Sequence, residues 1–265
     1  MDKQIHNGVA LVTGAGSGIG QAIATAFARE GCQKLFLVDL RYETLRKTQQ
    51  IIEATSQSAR IILHVADISK SDDVSGMIQG CVEAFGRLDF ALNNAGIALG
   101  GIKTADMSLE MFEKNYLCQR YEVEQMLKQD TLPTFEPGPF QNRNVRGSIV
   151  NTASICGLVV LKDFAAYASS KHAVAIMTRQ IARDYAPHKI RVNSVCPGIV
   201  DTPGVQATGL TPEFKEGLSR QAPMNRFIHA EEVAQVAVFL CSSSASAITG
   251  VNLPVDCGAV TYHLT

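Results

Sequence analysis

Val9-Ala-Leu-Val-Thr13, Gly14-Ala-Gly-Ser-Gly-Ile-Gly20 and Gln21-Ala-Ile-Ala-Thr-Ala-Phe-Ala28 follow one another without a break near the amino terminus. The first piece is a short apolar run, the second a glycine-rich turn, and the third a series of good helix formers. Together they read as strand, turn, helix. The spacing departs from G-x-G-x-x-G, since Ile19 stands where the third glycine belongs, and follows Thr13-Gly14-x-x-x-Gly18-x-Gly20 instead. Residues without a Cβ let backbone approach a pyrophosphate, and the next helix offers unsatisfied N–H groups and a positive dipole end. Gly14, Gly16, Ser17, Gly18, Ile19 and Gly20 are therefore expected along a dinucleotide; the competing reading is a flexible connecting loop.

The same alternation continues down the chain. Further strands are expected at Lys34-Leu-Phe-Leu-Val38, Ile61-Ile-Leu-His-Val65, Phe90-Ala-Leu92, Ser148-Ile-Val-Asn151, Ile190-Arg-Val-Asn-Ser-Val195 and Val251-Asn-Leu-Pro-Val255. Between them lie amphipathic stretches near 42–55, 71–85, 107–129, 165–186 and 230–242. This pattern argues for an α/β protein whose parallel sheet is covered by helices on both faces, and continuous apolar strands fit burial on both sides. No linker or internal repeat divides 1–265, so a single dinucleotide-binding and catalytic domain is expected. One irregular stretch, about 130–147, carries Pro133, Pro137 and Pro139 and reads as a long surface loop.

Asp39 closes the second expected strand, with Leu40 beside it. A carboxylate at that place accepts hydrogen bonds from ribose hydroxyls and repels a 2′-phosphate, which favours NAD over NADP. Arg41 partly offsets that repulsion, so NADP stays possible, and a helix N-cap is the competing role for Asp39.

Tyr167-Ala-Ser-Ser-Lys171 places a phenol and an ammonium one turn apart on one helix face. A cation held there favours the phenolate and pulls its pKa down, so the phenol can exchange a proton near neutrality. The same spacing recurs at Tyr185-Ala-Pro-His-Lys189, but Pro187 pushes Ala186 from the helical region and separates that pair.

Composition narrows the partners. The chain has 265 residues, 46% of them hydrophobic and 18% charged, with a net charge of −1, which gives no basic excess for nucleic acid or anionic lipid. A small molecule is the expected partner. Seven scattered cysteines with no Cys-x-x-Cys pair fit a reducing compartment. The polar amino terminus and the absence of a long apolar run point to a cytoplasmic protein without membrane association. No clustered His/Cys set suggests a metal.

With these motifs in order, and with Asn93-Asn94-Ala95-Gly96, Ser154, Pro197-Gly198 and Val255-Asp256 among them, the chain resembles the classical short-chain dehydrogenase/reductase family from Thr13 to about Gly258. The resemblance implies a single-domain, doubly wound Rossmann fold with strand order 3-2-1-4-5-6-7. It implies that Tyr167 is the general acid/base and that Lys171 lowers its pKa and binds the nicotinamide ribose. Ser154 would hold the substrate oxygen and Asn115 would support a water-linked proton relay. Asp67, with Ile68 beside it, would contact adenine. Asn94, Ala95 and Gly96 would run along the cofactor, with Pro197, Gly198, Ile199 or Val200, and Thr202 near the carboxamide. About 199–224 would form a lid over the substrate, and the family assembles as homodimers or homotetramers. Cys257 and Asn225 stand where the family commonly has glycine. The expected pocket wall, including Ile97, Ala98, Ile155, Cys156, Val159, Val160, Phe164, Val205 and Leu210, is apolar and suits an apolar, cyclic secondary alcohol or ketone. Two alternatives are a dinucleotide-binding scaffold without redox chemistry, whose expected loss of the tyrosine, lysine or serine is not seen here, and a cofactor-assisted isomerase or cyclase that keeps the same site.

Overall fold

The computed structural model describes residue 5 and residues 8–56, 58–96, 117–132, 144–162, 164–206 and 211–263. A seven-stranded sheet is built from β1 (Val9–Thr13), β2 (Lys34–Asp39), β3 (Arg60–Val65), β4 (Phe90–Asn93), β5 (Gly147–Thr152), β6 (Ile190–Pro197) and a last strand, β9 (Asn252–Val255). All neighbours are parallel, in the order β3-β2-β1-β4-β5-β6-β9. This is the parallel sheet that the alternating pattern predicts, in the doubly wound Rossmann order that the family resemblance implies.

Strand periodicity sorts the core into two layers. On one side of β1, Ala10 and Val12 pack with Ile23 and Phe27 of α1 (Gly18–Arg29) and with Val233, Ala237 and Val238 of α8 (Ala230–Cys241). On the other, Val9 and Leu11 pack with Met77 and Cys81 of α3 (Ser71–Phe85), Met126 of α4 (Leu117–Leu127) and Ile181 of α5 (Ala165–Tyr185). Helix α2 (Tyr42–Thr55) joins the first layer through Leu45 and Ile52. Each layer depends on tight filling: truncating the fully buried Phe27 to alanine costs about 3–5 kcal/mol.

Local signals end the elements where the sequence implies. Gly86, at φ +83°, terminates α3 in the left-handed region. Helix α5 stops at Tyr185, and Ala186–His188 form a single 3₁₀ turn containing Pro187, with Lys189 following at φ +62°. Tyr185 and Lys189 thus straddle a helix end, as the proline requires.

Two features position the site. Strand β1 has β2 on one side and β4 on the other, so the winding reverses there and leaves a crevice beyond the carboxyl ends of β1 and β4. After β6 the chain makes β7 (Val200–Asp201), α6 (Pro203–Gln206), α7 (Pro212–Ser219) and β8 (Ile228–His229), and β7 pairs with β8 as a second, two-stranded sheet. The short helix α9 (Ala259–His263) closes the chain. Of the loop expected at about 130–147, residues 133–143 lie outside the described residues; Leu132 and Val145 at its two ends form an antiparallel bridge.

Candidate active site

The glycine turn is held by close approaches. Gly14 and Gly18 have φ of +66° and +54°, a region that favours glycine. A Cβ on Gly20 would lie 2.1 Å from the Gly14 carbonyl oxygen and 2.6 Å from Asn94 Nδ2. The Asn94 side chain therefore lies against the turn, and a Cβ on Gly14 would come 3.0 Å from Ala95 Cα. Thr13 joins the two strand ends: its Oγ1 accepts from the N–H groups of Asn94 and Ala95, both at 3.1 Å, and donates to Leu92 O at 3.3 Å. Gly18 faces Thr202, whose Cγ2 would sit 3.3 Å from an added Cβ. Ser17 is exposed and Ile19 half-buried at the start of α1.

Asp39 ends β2 beside this turn. Its Oδ2 accepts from the Gly16 N–H at 3.0 Å and its Oδ1 from the Arg41 N–H at 3.2 Å. The Gly16 amide is thus committed to the carboxylate and not free for a phosphate. Two of the roughly four acceptor positions of a carboxylate are then in use. Leu40 is 65% exposed. Asp67 lies next in space, since Ala66 N donates to Asp39 O at 3.2 Å; Asp67 Oδ1 accepts from Ser69 N at 3.0 Å, and Ile68 is half-buried.

The proton-transfer candidates gather at the ends of β5 and β6. Ser154 has extended backbone, and its Oγ accepts from the Cys156 N–H at 3.1 Å, capping a 3₁₀ turn at Ile155–Gly157. Since that bond uses a lone pair, the serine O–H remains a donor. Helix α5 carries Tyr167 and Lys171, and Lys171 Nζ donates to Thr152 O at 2.9 Å. Gly96 overlies this ammonium: a Cβ there would be 3.9 Å from Nζ, the nearest atom among the described residues. Phe164 meets the Tyr167 ring edge-on at 6.3 Å. Asn115, Ile97, Ala98 and Leu210 fall outside the described residues.

Electrostatics here depart from the sequence expectation. Burial raises the Tyr167 phenol above its ordinary value, and the Ser154 hydroxyl opposes the rise. Burial likewise lowers Lys171 from 10.5 to about 8. Lys171 Nζ, drawn to Thr152 O, stands over the Tyr167 ring at 5.7 Å from its centroid.

On the far side of the cleft, Pro197 ends β6 and Gly198 N donates to Val255 O at 3.0 Å. Val200 is buried within β7 and contributes to the core, so only its backbone can face the cleft. A pocket adjoins whose mostly apolar wall includes Ile155, Leu161, Ile199, Leu218, Ala222 and Ala259, together with the polar Gln221, Arg226 and Asp256. Val160, expected in the pocket wall, is instead 80% exposed. Among the described residues no group of three His, Cys, Asp or Glu could hold a metal ion, and no helix is long and apolar enough to cross a membrane.

Sequence reasoning missed several participants. The Thr152 carbonyl and Cys156 amide are backbone groups, which side-chain patterns cannot reveal. Beneath the site a polar cluster joins Asn93, Asn151, Gln119, Glu122 and Thr178. Its available signal was Asn151 closing an apolar strand and Glu122 falling on the inner face of α4.

With this geometry in place, similarity to known proteins identifies the class. A family profile described as Enoyl-(Acyl carrier protein) reductase matches residues 14–260. The chain is 35% identical over 261 residues to 2,5-dichloro-2,5-cyclohexadiene-1,4-diol dehydrogenase of Sphingobium indicum, covering 94% of this chain and 95% of that protein. It is 34% identical to cyclohexanol dehydrogenase of an Acinetobacter species, covering 98% of both. Among solved structures, levodione reductase superposes with a TM-score of 0.85 at 31% identity, over 96% of this chain and 97% of that one. The chain belongs to the short-chain dehydrogenase/reductase family.

Proposed function

We propose that the protein transfers a hydride between a nicotinamide dinucleotide and a largely apolar, cyclic secondary alcohol or its ketone. The observation that carries this reading is the convergence of Ser154, Tyr167 and Lys171 at the strand ends, across the crevice from the glycine turn. Relatives whose names specify a cyclohexadienediol and cyclohexanol, and a structural relative named levodione reductase, support the choice of ring substrates. The apolar pocket beside Ile155 supports it further.

The cleft fits a dinucleotide. Gly14 and Gly18 hold conformations that bring backbone close, Gly96 leaves open the space above Lys171, and Asp39 keeps acceptor positions for ribose hydroxyls. The negative charge of Asp39 favours NAD. When bound, the nicotinamide supplies the hydride acceptor or donor. The chain supplies proton transfer and orientation. Lys171 spends one N–H on Thr152 O and keeps two for the ribose. Ser154, with its lone pair committed to Cys156, donates its O–H toward the substrate oxygen. Tyr167 takes the hydroxyl proton in oxidation and returns it in reduction. Gly16, Ser17, Ile19, Gly20, Asp67, Ile68, Asn94, Ala95, Pro197, Gly198 and Thr202 complete the cofactor surface, with Asn115 in the proton relay. Assembly through α4 and α5 is part of the same reading, and Ile176 on α5, 59% exposed, suits it.

The test follows nicotinamide absorbance while the protein is offered cyclohexanol, cyclic diols and cyclic diketones with each cofactor. Turnover is expected with NAD. Tyr167→Phe should retain cofactor binding and lose activity by roughly 10²–10⁴-fold or more. Tight cofactor binding with no turnover of any alcohol or ketone would favour a non-redox scaffold.

A further inference from the structure

Among the described residues three buried side-chain atoms lack a hydrogen-bond partner, and two of them belong to one contacting pair: Asn93 Oδ1 and Glu122 Oε1. Glu122 is 0% exposed. The other atoms of this pair are already joined, with Asn93 Nδ2 donating to Glu122 Oε2 at 2.9 Å. An amide and a carboxyl group touching at one corner, each with an unsatisfied oxygen at the other, lack one thing: a proton. A neutral Glu122 would donate from Oε1 to Asn93 Oδ1 and close a two-point acid–amide pair. An ionised Glu122 would bury a charged carboxylate whose second oxygen has no partner, next to an amide whose oxygen is also unpartnered, at a cost of several kcal/mol.

Among the described residues no cationic side chain bonds to Glu122. The titratable groups on the surrounding elements include the buried Cys81 on α3, Asp89 before β4 and Cys118 on α4, and the half-buried Tyr167 and Lys171 on α5; burial raises Glu122, the Asn93 amide opposes the rise, and Cys118 senses its charge. The pair also sits at a junction. Asn93 Nδ2 donates to Asn151 Oδ1 at 3.0 Å, and Asn151 Nδ2 donates to Gln119 Oε1 at 3.2 Å and Thr178 Oγ1 at 2.9 Å. The chain of bonds links α4, β4, β5 and α5. Those elements lead directly to Asn94-Ala95-Gly96, to Ser154, and to Tyr167 with Lys171.

We propose that Glu122 is a positioning residue for hydride transfer: it carries a proton shared with Asn93, and loss of that proton loosens the strand ends that hold the site. The kinetic arm of the test rests on the oxidoreductase reading above; the spectroscopic arm does not. Glu122→Gln preserves a two-point pair that cannot ionise. Dividing the kcat/KM of this variant by that of the parent cancels titrations common to both. Because Glu122 titrates at about 7, the ratio should rise by up to about tenfold from about pH 6 to about pH 8, chiefly in kcat. Glu122→Met, without any pair, should start lower and lack the alkaline decline. A Gln-to-parent ratio that stays flat overturns the proposal. Independently of any substrate, infrared difference spectra should show the carbonyl stretch of a protonated carboxylic acid in the parent, absent from Glu122→Gln. A parent without that band at about pH 6 also overturns it, and a kinetic failure with the band present refutes the positioning role.

Discussion

The buried acid of Glu122 and the left-handed backbone of Cys257 set two expectations at the scale of single residues. Burial raises Glu122 from 4.5 to about 7 in the folded protein. Its favourable contribution is therefore complete below the unfolded value and is lost as pH rises through about 7. Glu122→Gln carries no such loss, so its stability relative to the parent should grow with pH, approaching about 3 kcal/mol by pH 8. Urea unfolding at pH 5 and pH 8 measures this, and an equal difference at both would contradict it. Cys257 has φ +54° and Asn225 φ +51°. Cysteine pays roughly 1–2 kcal/mol in that region, whereas asparagine tolerates it. Cys257→Gly should raise Tm by a few degrees, and Asn225→Gly should change it little. Both positions were legible in the sequence as departures from glycine; the conformation that explains them was not. Tyr167, Lys171, Ser154 and Asp39 could be singled out as candidates in the sequence because the proposed chemistry needs particular side chains. The phenol's raised pKa was not, because desolvation depends on what covers a residue.

At the scale of elements, the glycine turn and α3 offer a matched comparison. An added Cβ on Gly20 meets the Gly14 carbonyl at 2.1 Å, a backbone atom that cannot swing aside. Gly20→Ala should destabilise the fold by about 2 kcal/mol or more and abolish dinucleotide binding. Gly76 lies within α3 with no described residue within 4 Å of an added Cβ, and Gly76→Ala should stabilise by about 0.5–1 kcal/mol. Thermal melts and cofactor titrations of the two variants test the pair. The seven strands of the main sheet were readable because burial on both faces leaves continuous apolar runs. The small β7–β8 sheet was not: two residues in each strand carry no periodicity, and their pairing joins positions far apart in sequence. The network from Glu122 to Thr178 was invisible for a similar reason, since its members come from four elements.

For the whole molecule, the cysteines give a direct measure of packing. All seven are free, and six are buried, with only Cys257 partly open. Burial pushes the Cys32, Cys81 and Cys241 thiols up to about 12, far from a reactive thiolate. A thiol reagent should label about one cysteine rapidly in the native protein and all seven after denaturation; fast native labelling of several would show that the two core layers open readily. The scatter of cysteines in the sequence pointed to free thiols, but only the layers explain why nearly all are shielded. The pairing of Val200 with Ile228 and Asp201 with His229 has a wider consequence. It brings the entry and exit of residues 203–226 to neighbouring points on the surface of the sheet, while Ser154, Tyr167 and Lys171 hang from other elements. The segment is thus an insert on a fixed stem. Its length and composition can therefore vary without re-routing the seven main strands, while Ala222 and Met224 tie it back to the body of the fold through the Ile155 cluster and the Cys257 carbonyl.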